Sequence, residues 1–254
     1  MSLFAFLLSS EFIKKKSLGL SQFKFPVTFV EVCPPEKGPY LETDLRYTPS
    51  RRRLGLSQTT GFANFTEAKK VITVIAGLLA EEAIYKEQDE LTDSGDKDPA
   101  IGIISFYAGQ VELIRNLIMQ SKLIEAKELS KAEFLCRQRV RVAINSVDSF
   151  QGKECPVIIV SFTRSNPCKN IGFVDDANRL NVAMSRAKKK LILLGDTTTF
   201  VNRSKAKNED IKGVGDTDFI RAERDFFTKL VKYIKGHGEF KKAFQILEMN
   251  NETI

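Results

Sequence analysis

With 254 residues, 43% of them apolar and 28% charged, the chain is long enough to bury a core and ordinary in composition for a globular domain. The 39 Lys and Arg against 32 Asp and Glu leave a net charge of +7, which suits a polyanionic partner without requiring one. Four scattered cysteines (Cys33, Cys136, Cys155 and Cys168), no C-x-x-C pair and the single histidine His237 argue against a zinc site and a secreted disulfide scaffold, and for a reducing compartment; no apolar run reaches the length of a membrane span.

In chain order, residues 1–23 read as irregular helix with a basic patch at Lys14, Lys15 and Lys16. The start, MSLFAFLL, has no basic residue before its apolar run and is too short for a signal peptide. Residues 25–32 (FPVTFVEV) predict a strand, and 40–62, with Arg46 and Arg51–Arg53, a long loop. Asn64 and Glu67 resemble a capping box, opening a helix through Ala68, Val71, Ile72, Ile75, Leu78 and Leu79. Residues 86–98 (KEQDELTDSGDKD) carry almost no apolar side chains and read as a solvated loop. The runs 101–105 (IGIIS), 157–162 (VIIVSF) and 191–196 (LILLGD) predict buried strands, and 140–145 a strand alternating Arg with apolar residues. Helices are expected over 110–120 and 176–186, a polar turn-rich stretch over 202–216, and a last amphipathic helix over about 218–234. Strands alternating with helices indicate one α/β domain with a mainly parallel sheet. The chain divides into a lead-in (1–24), the domain (25–238) and a tail (239–254) expected to dock weakly or fray.

In parallel sheets of this kind ligands sit beyond the carboxyl ends of the strands. Three segments there pack polar and charged groups beside core strands: SFYAGQ (105–110), NSVDSFQGKE (145–154) and NRLNVAMSRAK (178–188). IGIISFYAGQV (101–111), the 145–154 segment and RLNVAMSRAK (179–188) resemble motifs IV, V and VI of the superfamily 1 helicases of the senataxin and nonsense-mediated-decay type. NFTEAKKV (64–71) is similar to the Asn and Glu-Ala that precede motif IV there. Order and spacing agree over about 60–200.

The resemblance implies a RecA-like second motor domain of an ATP-dependent helicase, a hydrolase with ATP and Mg2+ held mainly by a first domain and a single strand of RNA or DNA running across both. This sequence contains no G-x-x-x-x-G-K-[ST] phosphate loop and no magnesium-binding acid pair after a buried strand, so the chain alone is expected to be inactive as an ATPase. The tyrosine- and arginine-bearing segment that opens such domains is also missing. By the same resemblance Arg186 is the arginine finger, whose forked, permanently charged donors meet the charge spreading over the transferred phosphoryl oxygens; from the residues alone it equally reads as a surface Arg closing a helix. Gly152 and Glu154 match nucleotide contacts, the Gly allowing close backbone approach and the Glu accepting from ribose or orienting the finger. Gln151 positions the nucleotide or relays domain closure.

Ser105, Tyr107, Gln110 and Ser146 match strand contacts, with hydroxyls gripping phosphates and Tyr107 either stacking on a base or packing under the helix. Asp148 is expected to organise its loop, Asn181 to bond backbone, and Arg179 to pair with Asp175 or Asp176 or to serve coupling. Lys188–Lys190 read as a solvated face, and His237, between two glycines, as exposed. The sequence departs from the family in reading Ser-Phe-Tyr for Thr-Pro-Tyr at 105–107, which puts the strand contact there in doubt. It also has Met184-Ser185 for Leu-Thr, a conservative change. The competing reading is a non-enzymatic nucleic-acid-binding or regulatory module of a degenerate helicase.

Overall fold

The computed structural model describes residues 18, 20–32, 41–47, 56, 61–95, 98–121, 123, 128–130, 132–136, 139–150, 152–201, 226–237 and 239–242. Met1–Leu8, Lys14–Lys16, Arg51–Arg53, Gln151, the 202–216 stretch and the His237 side chain lie outside the described residues.

The first strand, β1 (Val27–Glu31), falls where the β-branched and aromatic run predicts it. The expected 40–62 loop instead contributes β2 (Glu42–Asp44), which pairs antiparallel with β3 (Phe62–Asn64) in a small separate sheet. Three-residue strands are too short to leave an alternating pattern in sequence. Asn64 then caps α1 (Phe65–Leu79), its side chain accepting the Glu67 N–H at 3.0 Å. The helix is buried nearly all round.

A second departure is α2 (Glu82–Asp93), placed over residues read as loop. Ile84 is buried in the core and Tyr85 and Leu91 pack against it, but Glu87 and Gln88 take up the rest of the docking face, which is why periodicity does not reveal the helix. Gln88 Oε1 accepts the backbone N–H groups of Ala100 (3.2 Å) and Arg141 (2.8 Å), and Glu87 meets Lys189 Nζ at 2.5 Å.

The chain continues through β4 (Ile101–Ser105), α3 (Ala108–Gln120), β5 (Glu128–Ser130), β6 (Glu133–Cys136), β7 (Val140–Ser146) and β8 (Cys155–Ser161). It then forms α4 (Ala177–Ser185), β9 (Ala187–Gly195), α5 (Thr197–Phe200), α6 (Phe226–His237) and β10 (Glu239–Lys242). The main sheet has the order β10-β1-β9-β8-β4-β7-β6-β5. The strands from β10 to β7 run parallel, and β6 and β5 add antiparallel at the far edge. Sheet pairing extends to Lys242, past the boundary expected at 238, and Leu20 and Phe23 of the expected lead-in are buried in the core.

Both faces of this sheet are covered. Ile101, Ile103, Val157, Ile159, Ile192 and Leu194 turn to one side, against α1 and α3. Ile104, Ile158, Val160, Leu191 and Leu193 turn to the other, against α4 and α6. The period-2 geometry of a strand thus explains why these runs show no polar alternation: each neighbour feeds a different core. The result is a three-layer, mainly parallel α/β fold of the RecA-like type.

The basic run Lys188–Lys190 lies inside β9 rather than on a solvated face. Lys190 is buried and its ammonium is bonded to the carbonyls of Phe23 and Phe25 and to Thr28 Oγ1 (2.7 Å). A buried Lys is tolerated when such acceptors replace water.

Candidate functional site

The sheet has two ends, and the predicted residues divide between them. At the amino end, β8 and β9 start side by side, with Cys155 donating its N–H to the Arg186 carbonyl at 3.0 Å. Gly152 and Glu154 immediately precede β8, and Arg186 closes α4 just before β9. These nucleotide-contact candidates are therefore neighbours, but at the opposite end from the carboxyl rim where the parallel-sheet rule directs attention. The reason is the connection. Residues 147–154 carry the chain from the carboxyl end of β7 over β4 to the amino end of β8, so one motif spans the whole depth of the sheet.

The crossover packs closely over β4 at a glycine. A Cβ at Gly102 would lie 2.5 Å from Phe150 Cζ and 2.7 Å from Ile158 Cδ1, so the buried Phe150 ring occupies the space a side chain would take.

The amino end is open. Gly152 has φ +84, a Cβ there would meet nothing within 4 Å, and Glu154 is exposed. Arg186 is half-buried; its Nε donates to the Val182 carbonyl (3.2 Å) and its Nη2 to Ser185 Oγ (3.1 Å). These bonds take up the Nε–Nη2 edge of the guanidinium, leaving Nη1 without a partner among the described residues. Behind it, α4 is tied to the crossover by Arg179, which pairs with Asp148 at 3.1 Å and more loosely with Asp176 at 3.9 Å. Asp176 itself caps α4, accepting the N–H groups of Asn178 and Arg179. Asp148 thus organises its loop through a partner on another motif.

The carboxyl end is a closed network. Gln110 Oε1 accepts the Asn64 N–H (2.7 Å), and its Nε2 donates to Ser161 Oγ (3.0 Å) and the Asn64 carbonyl (3.3 Å). Glu67 does not reach back to its own cap. Its Oε1 accepts from Ser161 Oγ (2.5 Å) and the Thr163 N–H (2.8 Å). Thr163 adopts φ +73, an uncommon left-handed conformation for a β-branched residue. It is held there by Glu67, by Asn64 Nδ2 on its carbonyl (3.1 Å) and by Ser105 Oγ on its hydroxyl (3.1 Å). Burial pushes the Glu67 carboxyl up to about 8, against the pull of the Ser161 and Thr163 hydrogen bonds and with the nearby charges of Asp196 and Glu31. At neutral pH it is therefore mostly a neutral acid. Its Oε2 has no hydrogen-bond partner among the described residues.

Beside this lies a buried ion pair. Arg164 forks onto Glu42, Nε to Oε2 at 2.8 Å and Nη2 to Oε1 at 3.1 Å, and its Nη1 donates to the Tyr107 hydroxyl at 3.2 Å. Its guanidinium lies 4.0 Å from the centroid of the Phe62 ring. Burial works against its charge, but the Glu42 carboxylate and the Tyr107 hydroxyl outweigh it and raise its pKa. The Tyr107 hydroxyl also donates to the Ile171 carbonyl (3.2 Å).

Of the four predicted strand contacts, Ser105, Gln110 and Tyr107 are therefore buried, with their polar atoms engaged inside the protein. This arrangement does not offer Tyr107 as a stacking ring. Ser146 is half-buried at the rim, where its hydroxyl donates to Ser149 Oγ (3.0 Å) and accepts the Ser149 N–H (3.3 Å). Sequence reasoning missed Arg164, Glu42 and Thr163. An arginine three residues beyond the buried strand β8 was the available signal; the partner, 122 positions away, left none.

A profile of the AAA domain family, of the superfamily 1 helicase type, matches residues 10–198, well over half of the chain. The chain is 35% identical over 137 residues to the regulator of nonsense transcripts 1 of Caenorhabditis elegans, covering 54% of this chain and 11% of that protein. It is 36% identical over 178 residues to the DNA replication ATP-dependent helicase/nuclease dna2 of Schizosaccharomyces pombe, covering 68% and 11%. An uncharacterized ATP-dependent helicase of Methanocaldococcus jannaschii is 31% identical over 155 residues, covering 61% and 18%. The matched part thus spans only about a tenth to a fifth of these relatives. Among the described residues, no helix is long and apolar enough to cross a membrane. The chain belongs to the superfamily 1 helicases of the nonsense-mediated-decay type.

Proposed function

We propose that this chain is the second motor domain of an ATP-dependent helicase, acting in the reducing cytoplasm or nucleus. Its amino end faces a nucleotide held by a first RecA-like domain, and its carboxyl end carries part of the surface for a single strand of RNA or DNA. The observation that supports this most directly is the placement of Arg186. A partly exposed guanidinium, anchored along one edge by Val182 and Ser185, stands beside Gly152 and Glu154 on an open edge of the sheet.

Mg-ATP would supply the phosphoanhydride whose hydrolysis drives the motor. The protein's own part is to present a fixed charge. Arg186 is pre-aimed, so little side-chain entropy is lost when it meets the γ-phosphoryl oxygens. Gly152 lets the backbone approach closely, and Glu154 is free to accept from the ribose or from Arg186. Gln151 positions the nucleotide or relays domain closure. Opening and closing against the first domain would then be carried to the strand surface by α4 and the Arg179–Asp148 pair. Ser105, Tyr107 and Gln110 serve as the frame beneath that surface, while Ser146 belongs to the surface itself.

The test is ATP turnover by the full-length protein, with and without single-stranded RNA or DNA, for the wild type and Arg186→Ala. Strand-stimulated turnover that falls by about 10³-fold or more in the variant, with ATP still bound, is the expected result. Turnover indifferent to Arg186 removes the finger. No turnover in the wild type favours a binding module instead.

A further inference from the structure

We infer that Phe173 is a base-stacking platform on the single-strand surface, an inference that rests on the helicase reading above. Phe173 lies in the 3-10 turn Gly172–Asp175, between β8 and α4, and is 59% exposed although it is a large apolar side chain. A solvent-facing phenyl ring costs solubility and is normally turned inward. Here the surrounding structure holds it outward.

Its backbone N–H donates to the Tyr107 hydroxyl at 3.1 Å, and its ring lies 5.5 Å from the Tyr107 ring at an interplanar angle of 38°. The Arg179 guanidinium sits 5.5 Å from the ring centroid. Arg179 in turn pairs with Asp148, which brings the 148–150 turn and its serine to the same rim. One exposed ring is thus in contact with the segments that resemble motifs IV and VI, and through Arg179 with motif V.

Three physical consequences follow. The ring is pre-positioned, so stacking on it loses little conformational entropy. Arg179 gives it a cationic neighbour suited to the phosphate next to a stacked base. The Ser146 and Ser149 hydroxyls offer sequence-independent backbone contacts nearby. The stacking ring expected at Tyr107 is, in this geometry, provided by the residue that Tyr107 supports. Stacking does not depend on base identity, so the preference is for single strands rather than for a sequence.

The experiment uses the full-length protein and fluorescence-labelled single-stranded oligonucleotides, one with all its bases and one with abasic residues throughout the bound stretch. Phe173→Ala should weaken binding of the normal strand by between about five-fold and about a hundred-fold. Phe173→Trp should keep wild-type affinity, and Phe173→Leu, apolar but without a π face, should not. On the abasic strand all four proteins should bind alike. The exposed position predicts an unchanged melting temperature for each variant, which separates binding from folding. Equal binding of the normal strand by wild type and Phe173→Ala overturns the platform and leaves the helicase reading standing. A loss that is the same on normal and abasic strands also overturns it, and assigns the ring to a protein contact such as the first motor domain. A wild type that binds no strand overturns both.

Discussion

The two ends of the sheet solve opposite problems. At the amino end, Gly152 and Glu154 are exposed, Arg186 is half-buried, and few bonds hold them. At the carboxyl end, Asn64, Glu67, Ser105, Gln110, Ser161 and Thr163 are buried in one interlocked network, flanked by the Arg164–Glu42 pair. Groups meant to meet a ligand must keep their donors available. Groups that fix the shape of a surface must direct theirs at each other, because an unsatisfied buried polar atom costs more than a satisfied one gains. The difference predicts that substitutions at the amino end change chemistry with little effect on stability, and that substitutions within the buried carboxyl-end network do the reverse.

The sharpest test of that division is Arg186. Its removal should lower strand-stimulated turnover by about 10³-fold or more while shifting unfolding free energy by no more than about 0.5 kcal/mol, as measured by urea denaturation. Arg186→Lys should recover little, because an ammonium lacks the fork. A large loss of stability in Arg186→Ala would break the comparison.

Next in size is the opposite end. Arg164→Ala leaves the Glu42 carboxylate, only 12% exposed, with its charge unmatched. A loss of about 3–5 kcal/mol in unfolding free energy is expected. Replacing both partners, Arg164→Met with Glu42→Leu, should recover much of it. A double variant as unstable as the single one would show that the hydrogen bonds from Ser165 and Asn166 to Glu42, rather than the ion pair, hold the region.

Glu67 gives a pH signature of the same end. Its folded carboxyl titrates near 8, above the ordinary value of 4.5. The folded state therefore holds a proton that the unfolded state has already released. The stability tied to this group is fully present below about pH 4.5, declines as pH rises, and is exhausted above about pH 8. Urea midpoints measured from pH 6 to 9 should fall by an amount worth ~1–3 kcal/mol and then level off. Glu67→Gln, which keeps an acceptor for Ser161 and Thr163 but cannot ionise, should flatten that decline. An equal decline in the variant would place the titration elsewhere.

The smallest expected effect is that of Ser105→Ala, which removes one hydroxyl bond to Thr163. It should cost about 1 kcal/mol of stability and leave ATP affinity unchanged. A drop in strand affinity larger than the stability loss explains would return Ser105 to the surface as a direct contact.

The features legible in the amino-acid order are those written in local pattern. The runs at 101–105, 157–162 and 191–196 carry apolar residues on both faces, without polar alternation, because both faces of a central parallel strand are buried, and they appear as β4, β8 and β9. Asn64 is readable as a cap because it bonds three residues away. The motif segments carry the family, and with it Arg186. Which residues meet is a matter of packing alone. The helix α2 docks through Gln88 and Glu87 to distant strands as well as through Ile84, so its own sequence shows only a broken apolar stripe. Arg164 finds Glu42, and Glu67 finds Thr163, across separations of 122 and 96 residues. Ser105, Tyr107 and Gln110 turn inward because those partners wait there, and Phe173 is left outside. A side chain's polar or aromatic character belongs to the residue itself. Whether it faces a partner or the solvent depends on strands and helices far along the chain, and only their packing sets that.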